Sequence, residues 1–257
     1  MRVTTFNCNG IRSAARKGFF EWMEQSSPDI LCLQEVRAHH DQLTDQVYQR
    51  AGYHCYHFEA SRRGYSGTAI FSRREPDRVI RGFGWDLADE EARFIRADFD
   101  DLSVISLYMP SGSSGPVRQQ VKMDCLARLQ PLLESWIADG RHYIICGDWN
   151  MCHQPIDLKN WRSNQKNPGF LPEERAWLDN LFGQTGYVDA FRHLYPDAHA
   201  YSWWSNRGNA RANNTGWRLD YHVITPGLLP ELQSVEIYTE QNFSDHAPVT
   251  LSLSRKF

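Results

Sequence analysis

Apolar and polar positions along the chain fall in short blocks. Strand-like apolar runs occur at Arg2–Phe6, Ile30–Gln34, Tyr53–Phe58, Thr68–Ser72, Phe94–Phe99, Leu102–Tyr108, Tyr143–Cys146, Leu219–Ile224, Ser234–Tyr238 and Ala247–Leu253. Helical spacing is expected over Gly18–Gln25, Gln42–Ala51, Val117–Ala138, Pro172–Leu181 and Asp189–Leu194. In Val117–Ala138, the residues Val121, Cys125, Leu126, Leu129, Leu132, Leu133 and Trp136 share one face, which assigns that stripe to the core; Gly140 is placed to stop the helix. Pro172 opens a later helix with Glu173 and Glu174 in its first turn, where negative charge complements the free N–H groups. Helices lie between and after the strands, without unbroken βαβ alternation. That pattern predicts an α/β protein of two packed sheets with helices outside. No Gly/Ser-rich linker divides residues 1–257, so a single domain is expected.

Polar residues cluster where the apolar runs end. "TTFNCNG" carries Asn7 and Asn9, "DILCLQE" carries Glu35, and "ISLYMPSG" carries Tyr108. "IICGDWN" carries Asp148 and Asn150, "FSDHAPV" carries Asp245 and His246, and "GWRLDY" adds Asp220. One such cluster would be an ordinary turn, since Asn, Asp and Gly bend the chain readily. Repetition at strand after strand predicts a shared site, because a sheet delivers its strand ends to one place.

The residue types indicate chemistry. Glu35, Asn7, Asn9 and Asp245 form an all-oxygen set of the kind that holds Mg²⁺, with Mn²⁺ as a substitute. His246 is suited to contact a phosphoryl oxygen or move a proton, with Asp220 fixing its tautomer and Asp245 beside it. Asp148 is a candidate base for a water nucleophile, Asn150 its orienting partner, and Tyr108 a stabiliser of developing charge. The spacing of Asp148 and Asn150 sends both toward one face, with Trp149 pointing into packing. No Gly-rich phosphate loop, GxSxG motif or Cys–His pair competes.

Composition narrows the function classes. With 41% hydrophobic and 23% charged residues, the chain has ample material for a core and is not a disordered sequence. A formal charge of −3 means that any polyanion must meet a locally basic face. The cysteines at 8, 32, 55, 125, 146 and 152 form no CxxC pair, and Cys8, Cys32 and Cys146 sit in apolar runs, so reduced core thiols are expected. The opening MRVTTFNCNG has no signal-peptide pattern, and no apolar run approaches the ~20 residues of a membrane span, which makes the cytoplasm the expected compartment.

Taken in order, "FNCNGIR", "DILCLQE", "GYSGTAIFSR", "LYMPSG", "GDWNMCHQPIDLKNW", "GFLPEERAWLD", "GWRLDY" and "SDHAPV" resemble the exonuclease III family of bacterial AP endonucleases, within the endonuclease/exonuclease/phosphatase superfamily. "GDWN" and "SDH" mark the superfamily; "GFLPEER" with "GWRLDY" points to its DNA-repair branch. The resemblance implies a four-layered α/β sandwich of two mixed sheets flanked by helices. It also implies Mg²⁺-dependent cleavage of the DNA backbone 5′ to abasic sites, with 3′-end cleaning and 3′–5′ exonuclease activity. The expected partner is double-stranded DNA with abasic sites or blocked 3′ ends, acted on by a monomer. By motif, Glu35 is similar to the family's main metal ligand, Asp148 to its nucleophile-orienting aspartate, and His246 with Asp220 to its phosphate-contacting pair.

Substrate handling follows from both sources. An abasic nucleotide leaves the helix easily because it has no base to unstack, and a pocket for bare deoxyribose should be small and apolar. Trp203, Trp217 and Leu219 match the family's pocket positions, and Asn160, Asn164 and Asn167 match positions near DNA in relatives. Lys159, Arg162 and Lys166 supply positive charge there, as Arg207 and Arg211 do in the next loop. The loop "MPSGSSGPV" lacks the basic residue that some relatives push into the duplex, and Arg37 stands where many carry Lys. Gly169 replaces a bulky residue of some relatives, which favours internal cleavage over dedicated 3′-end activity. A different class, a non-catalytic nucleic-acid-binding regulator of the same fold, would have lost the catalytic aspartates, which are present here. A lipid or inositol phosphatase would need an apolar membrane-facing loop or a dense basic pocket, and neither is evident.

Overall fold

The computed structural model describes residues 1–45, 48–50 and 52–257. Two six-stranded sheets pack against each other. The first has the order Leu232–Ile237, Val249–Leu253, Arg2–Asn7, Ile30–Gln34, Thr68–Ser72 and His54–Phe58. The second has the order Arg78–Arg81, Phe94–Phe99, Leu102–Tyr108, His142–Asp148, Asp220–Ile224 and Val188–Asp189. Each contains one parallel pair, Arg2–Asn7 beside Ile30–Gln34 and Leu102–Tyr108 beside His142–Asp148, and the other pairings are antiparallel. The sheets are therefore mixed, as expected.

The central strands read as unbroken apolar runs because both of their faces are covered. Val3, Ile30, Cys32, Ile144, Cys146 and Ile224 fill the space between the sheets. Their alternates Ile105, Tyr143, Ile145 and Val223 pack outward under the helices Pro116–Ala138 and Pro172–Phe182. On the opposite face Phe6, Leu31, Leu33 and Phe71 lie under Ile11–Arg16 and Phe19–Ser26. The result is a four-layered sandwich, helices–sheet–sheet–helices.

Several elements depart from the expectation. The helix expected over Gln42–Ala51 includes residues 46, 47 and 51, which lie outside the described residues; of the others, only Gln42 is helical, ending the 3-10 turn His40–Gln42. The strand expected to stop at Cys146 continues to Asp148. Gly147 makes that possible, since a Cβ there would lie 1.9 Å from the carbonyl oxygen of Leu107 on the neighbouring strand. The core stripe of the long helix is as expected at Cys125, Leu126, Leu129 and Leu133, but it also contains a fully buried Lys122. Short elements without a clear apolar pattern, such as Arg78–Arg81, Trp161–Asn164 and the ribbon Trp203–Trp204/Gly216–Trp217, were not foreseen.

Buried charge ties the loops behind the strand ends. Arg218 is fully buried; its Nε donates to Asp157 Oδ1 at 2.9 Å, and its Nη2 to Asp189 Oδ2 at 2.6 Å. Arg192 adds a second guanidinium on Asp157 Oδ1 at 2.6 Å. Burial alone would raise the Asp157 pKa, but the two arginines outweigh it and hold the carboxyl at about 2, below its ordinary 3.8. That contribution to stability is full above pH 3.8 and fades as the pH falls through 2. Arg218→Met should cost about 3–5 kcal/mol, because it strands the buried Asp189 carboxylate and leaves Asp157 with Arg192 alone. Urea unfolding measures this, and a loss below about 1 kcal/mol would show that the charges are solvated.

Candidate active site

The parallel pairings bring the polar strand ends together. Asn7 is in register with Gln34, immediately before Glu35, and Tyr108 is in register with Asp148. The antiparallel strand beside them starts with Asp220 opposite Asp148. Just past the strand ends, Asn9, Glu35 and Asn150 have φ of 44°, 54° and 51°. These left-handed conformations are sparsely used by non-glycine residues, Glu least readily of the three.

A cavity of about 500 Å³ opens over these ends. Asn9, Glu35, Tyr108, Asp148, Asn150, Asp245 and His246 line its polar side. Trp203 and Trp217 of the ribbon, Leu219 just before the strand Asp220–Ile224, and Asn164, Asn167 and Gly169 of the preceding segment also line it. Gly169 has φ of 96°, and a Cβ there would stand 3.2 Å from the Trp217 ring.

Asp148 is 2% exposed and sits at the centre of the polar side. Its Oδ2 accepts from Asn7 Nδ2 at 2.8 Å and Asn150 Nδ2 at 3.1 Å, and its Oδ1 accepts from Asn150 N at 2.9 Å. Burial, helped by the nearby Asp220, raises its pKa to about 7 against the pull of His246 and the amide donors. His246 Nδ1 lies 2.8 Å from Asp220 Oδ2, and Nε2 lies 3.7 Å from Asp148 Oδ2. Burial alone would lower the imidazole pKa, but Asp220 and Asp148 outweigh it and raise it to about 10. The site thus holds a carboxyl that ionises near neutrality beside an imidazole that keeps its proton. Ser202 Oγ donates to Asp220 Oδ2 at 2.6 Å and so fixes that carboxylate. Burial pushes the Tyr108 hydroxyl well above its ordinary range, so it stays protonated, while Arg93 stacks 4.6 Å from its ring centroid.

Two groups of atoms suit a cation. Asp148, Asp220 and His246 have ligand atoms within 4.8 Å of one another and could hold a metal ion. Protonation of His246 works against that use. Glu35, Asn9 and Asp245 offer oxygens to the cavity instead. One Glu35 oxygen is engaged by Arg37, leaving the other free of that contact. Asp245 accepts from Asn9 Nδ2 at 2.8 Å and Trp203 Nε1 at 3.1 Å; these bonds and His246 outweigh burial and hold its pKa low, so it is ionised. An all-oxygen set that includes the ionised Asp245 fits a hard divalent cation.

Not every expected residue reaches the cavity. Asn7 is fully buried beneath it, its Nδ2 spent on Asp148 and its Oδ1 accepting from Asn9 N at 3.0 Å. Asp220 stands behind His246. Lys159, Asn160 and Arg162 line a separate shallow depression with Trp161, and Lys166 is exposed. Conversely, Ser111 and Ser113 line the cavity without having been singled out, as does Arg37, noted only for its charge. Small serines in a glycine-rich turn carry no distinguishing signal.

Fold and site together define a hydrolase of phosphate esters with room for a bulky substrate. The endonuclease/exonuclease/phosphatase family matches residues 4–246. The chain is 39% identical to an exodeoxyribonuclease of Bacillus subtilis (strain 168), over 99% of this chain and 100% of that protein. It is 38% identical to the DNA repair nuclease APEX1 of Danio rerio, over 99% of this chain and 82% of that one. An AP endonuclease structure from Archaeoglobus fulgidus superimposes with a TM-score of 0.90 at 28% identity, covering 99% of this chain and 100% of the other. The chain therefore belongs to the endonuclease/exonuclease/phosphatase family, in its exonuclease III and AP endonuclease branch, and is a DNA-repair nuclease that hydrolyses phosphodiesters.

Proposed function

We propose that the protein is a Mg²⁺-dependent phosphodiesterase that cleaves DNA 5′ to abasic sites, trims blocked 3′ ends and degrades 3′ termini as an exonuclease. The observation that carries this reading is the joining of two unlike surfaces in one cavity. Asp148, His246 and the Glu35 set form one side, and Trp203, Trp217 and Leu219 form a small apolar side suited to a sugar without a base. A lipid or inositol headgroup would find little positive charge here: among the described residues that line the cavity, Arg37 and His246 are the cationic groups.

In this reading Asp148, with a pKa near 7, removes a proton from the attacking water while Asn150 orients it. Protonated His246, held by Asp220, donates to a phosphoryl oxygen as negative charge builds. Tyr108 adds a neutral donor to the same region. Glu35, Asn9 and Asp245 would hold Mg²⁺, which when bound supplies electrostatic stabilisation of the phosphate. Asn7 acts from beneath by fixing Asp148. Asn164 and Asn167 border the duplex, while Asn160, Lys159, Arg162 and Lys166 meet phosphates farther out, which makes affinity fall with salt. The narrow Gly169 wall leaves room for DNA past the cut. The same reading makes the enzyme a cytoplasmic monomer; its six unpaired cysteines accord with a reducing compartment. Among the described residues no helix is long and apolar enough to cross a membrane.

The test is incubation with Mg²⁺ and a duplex carrying one abasic analogue, beside undamaged duplex and an EDTA control. Cleavage immediately 5′ to the lesion, abolished by EDTA, is expected; no cleavage at the lesion overturns the proposal. Glu35→Ala should raise the Mg²⁺ concentration for half-maximal rate by about 10-fold or more, since losing only an outer-shell partner of a ligand already costs about 10–100-fold. An unchanged Mg²⁺ titration would remove Glu35 from the ligand set.

A further inference from the structure

Lys122 and Glu174 form a 2.7 Å ion pair in which neither side chain reaches solvent. Lys122 comes from the helix Pro116–Ala138, and Glu174 from the first turn of Pro172–Phe182. Two desolvated charges are a poor way to stabilise a core, since an apolar pair of similar volume commonly serves as well or better. Their other bonds give the pair a different meaning. Lys122 Nζ also donates to the carbonyl oxygen of Asn150 at 3.0 Å. Glu174 Oε2 accepts from the backbone N–H of Gly169 at 2.7 Å and of Leu171 at 2.9 Å. Gln119 Nε2 steadies Glu174 Oε1 from 3.0 Å.

The pair thus grips two cavity-lining residues, both held in left-handed backbone: Asn150 beside Asp148, and Gly169 on the wall. These two residues are also close neighbours. A Cβ on Gly169 would stand 3.3 Å from the Asn150 carbonyl oxygen and 3.2 Å from the Trp217 ring.

The geometry points to Lys122 and Glu174 as positioning residues for DNA cleavage, setting the spacing between the Asp148–Asn150 edge and the Gly169–Trp217 wall. Their role is in the rate of cleavage rather than in the stability of the fold. It rests on the assignment of this cavity as the site of cleavage.

The double variant Lys122→Met/Glu174→Leu removes both charges together and leaves the Asn150 carbonyl and the Gly169 and Leu171 N–H groups without these partners. It should fold and melt within a few degrees of the unsubstituted protein. Its kcat on duplex with one abasic analogue should fall by about 10²-fold, the cost of misplaced reacting groups. KM should change by less than about threefold, because the flanking phosphates are held elsewhere. Lys122→Arg, which keeps a cation with donors for both oxygens, should lie closer to the unsubstituted protein than to the double variant. A folded double variant with undiminished kcat overturns the proposal, and so does a double variant that fails to fold. Loss of kcat in Lys122→Arg equal to that of the double variant also counts against it. If the unsubstituted protein does not cut, the functional assignment itself falls and this proposal with it. If it cuts and the double variant cuts equally well, only the role of the pair falls.

Discussion

Asp148→Asn is expected to slow incision at an abasic analogue by about 10²–10⁴-fold, the range for loss of a positioned base. Each factor of ten is about 1.4 kcal/mol of transition-state stabilisation. The substitution nearly preserves volume, but the amide cannot take a proton from water, and its NH2 must face a donor of the Asn7 and Asn150 cage, all of whose bonds to Asp148 are donated. Burial has raised the Asp148 pKa from 3.8 to about 7, so its contribution to stability is full below pH 3.8 and is lost as the pH rises through 7. At pH 8 that contribution is gone, so any deficit of the asparagine variant in melting temperature should be smaller at pH 8 than at pH 6. In the unsubstituted protein kcat/KM should rise with an acid limb near 7. Rate measurements beside thermal melts at pH 6 and 8 check both parts. A rate within about threefold of the unsubstituted protein removes Asp148 from the role of base.

Asp220→Asn should act through His246. The imidazole pKa stands near 10 rather than 6.5 because Asp220 and Asp148 together outweigh its burial. Without the Asp220 charge, the alkaline limb of kcat/KM should move from near 10 toward 6.5, and activity at pH 8 should drop by about 10²–10³-fold. Stability shifts in the same window. The folded protein holds the His246 proton to about pH 10, whereas an unfolded histidine releases it near 6.5. That contribution is full below 6.5 and fades as the pH rises through 10, so the variant's deficit in melting temperature should be larger at pH 6 than at pH 10. A pH–rate profile with its alkaline limb still near 10 would show that Asp220 does not set the imidazole charge.

The candidate site was legible unevenly, for physical reasons. Strand ends such as "LQE", "GDWN" and "SDH" stood out because polar residues interrupt runs that are apolar on both faces. Lys122 did not, because one lysine within an apolar helical stripe is normally on the solvent edge, and its partner Glu174 read as an ordinary first-turn acid. Ser202 gives no sign of its role either, because a single serine in a loop carries no pattern; its hydroxyl accepts from Leu219 N and Asp220 N, both at 3.0 Å, while donating to Asp220. Asn7 and Asn9 looked equivalent by motif. The end of the strand separates them: Asn7 still lies within it and turns inward to Asp148, while Asn9, past the end and left-handed, faces the cavity.

By itself the sequence determined the long central strands, the long helix and the inventory of polar residues, because covering both faces of a central sheet demands continuous apolar runs. Its motifs were also sufficient to place it in a family. Only the tertiary structure decided which strand ends meet, since that depends on two parallel pairings between segments far apart in the chain. It also decided that Asp148 titrates near neutrality while His246 keeps its proton. Both depend on burial and on charges brought from distant strands, and no local pattern of residues carries that information.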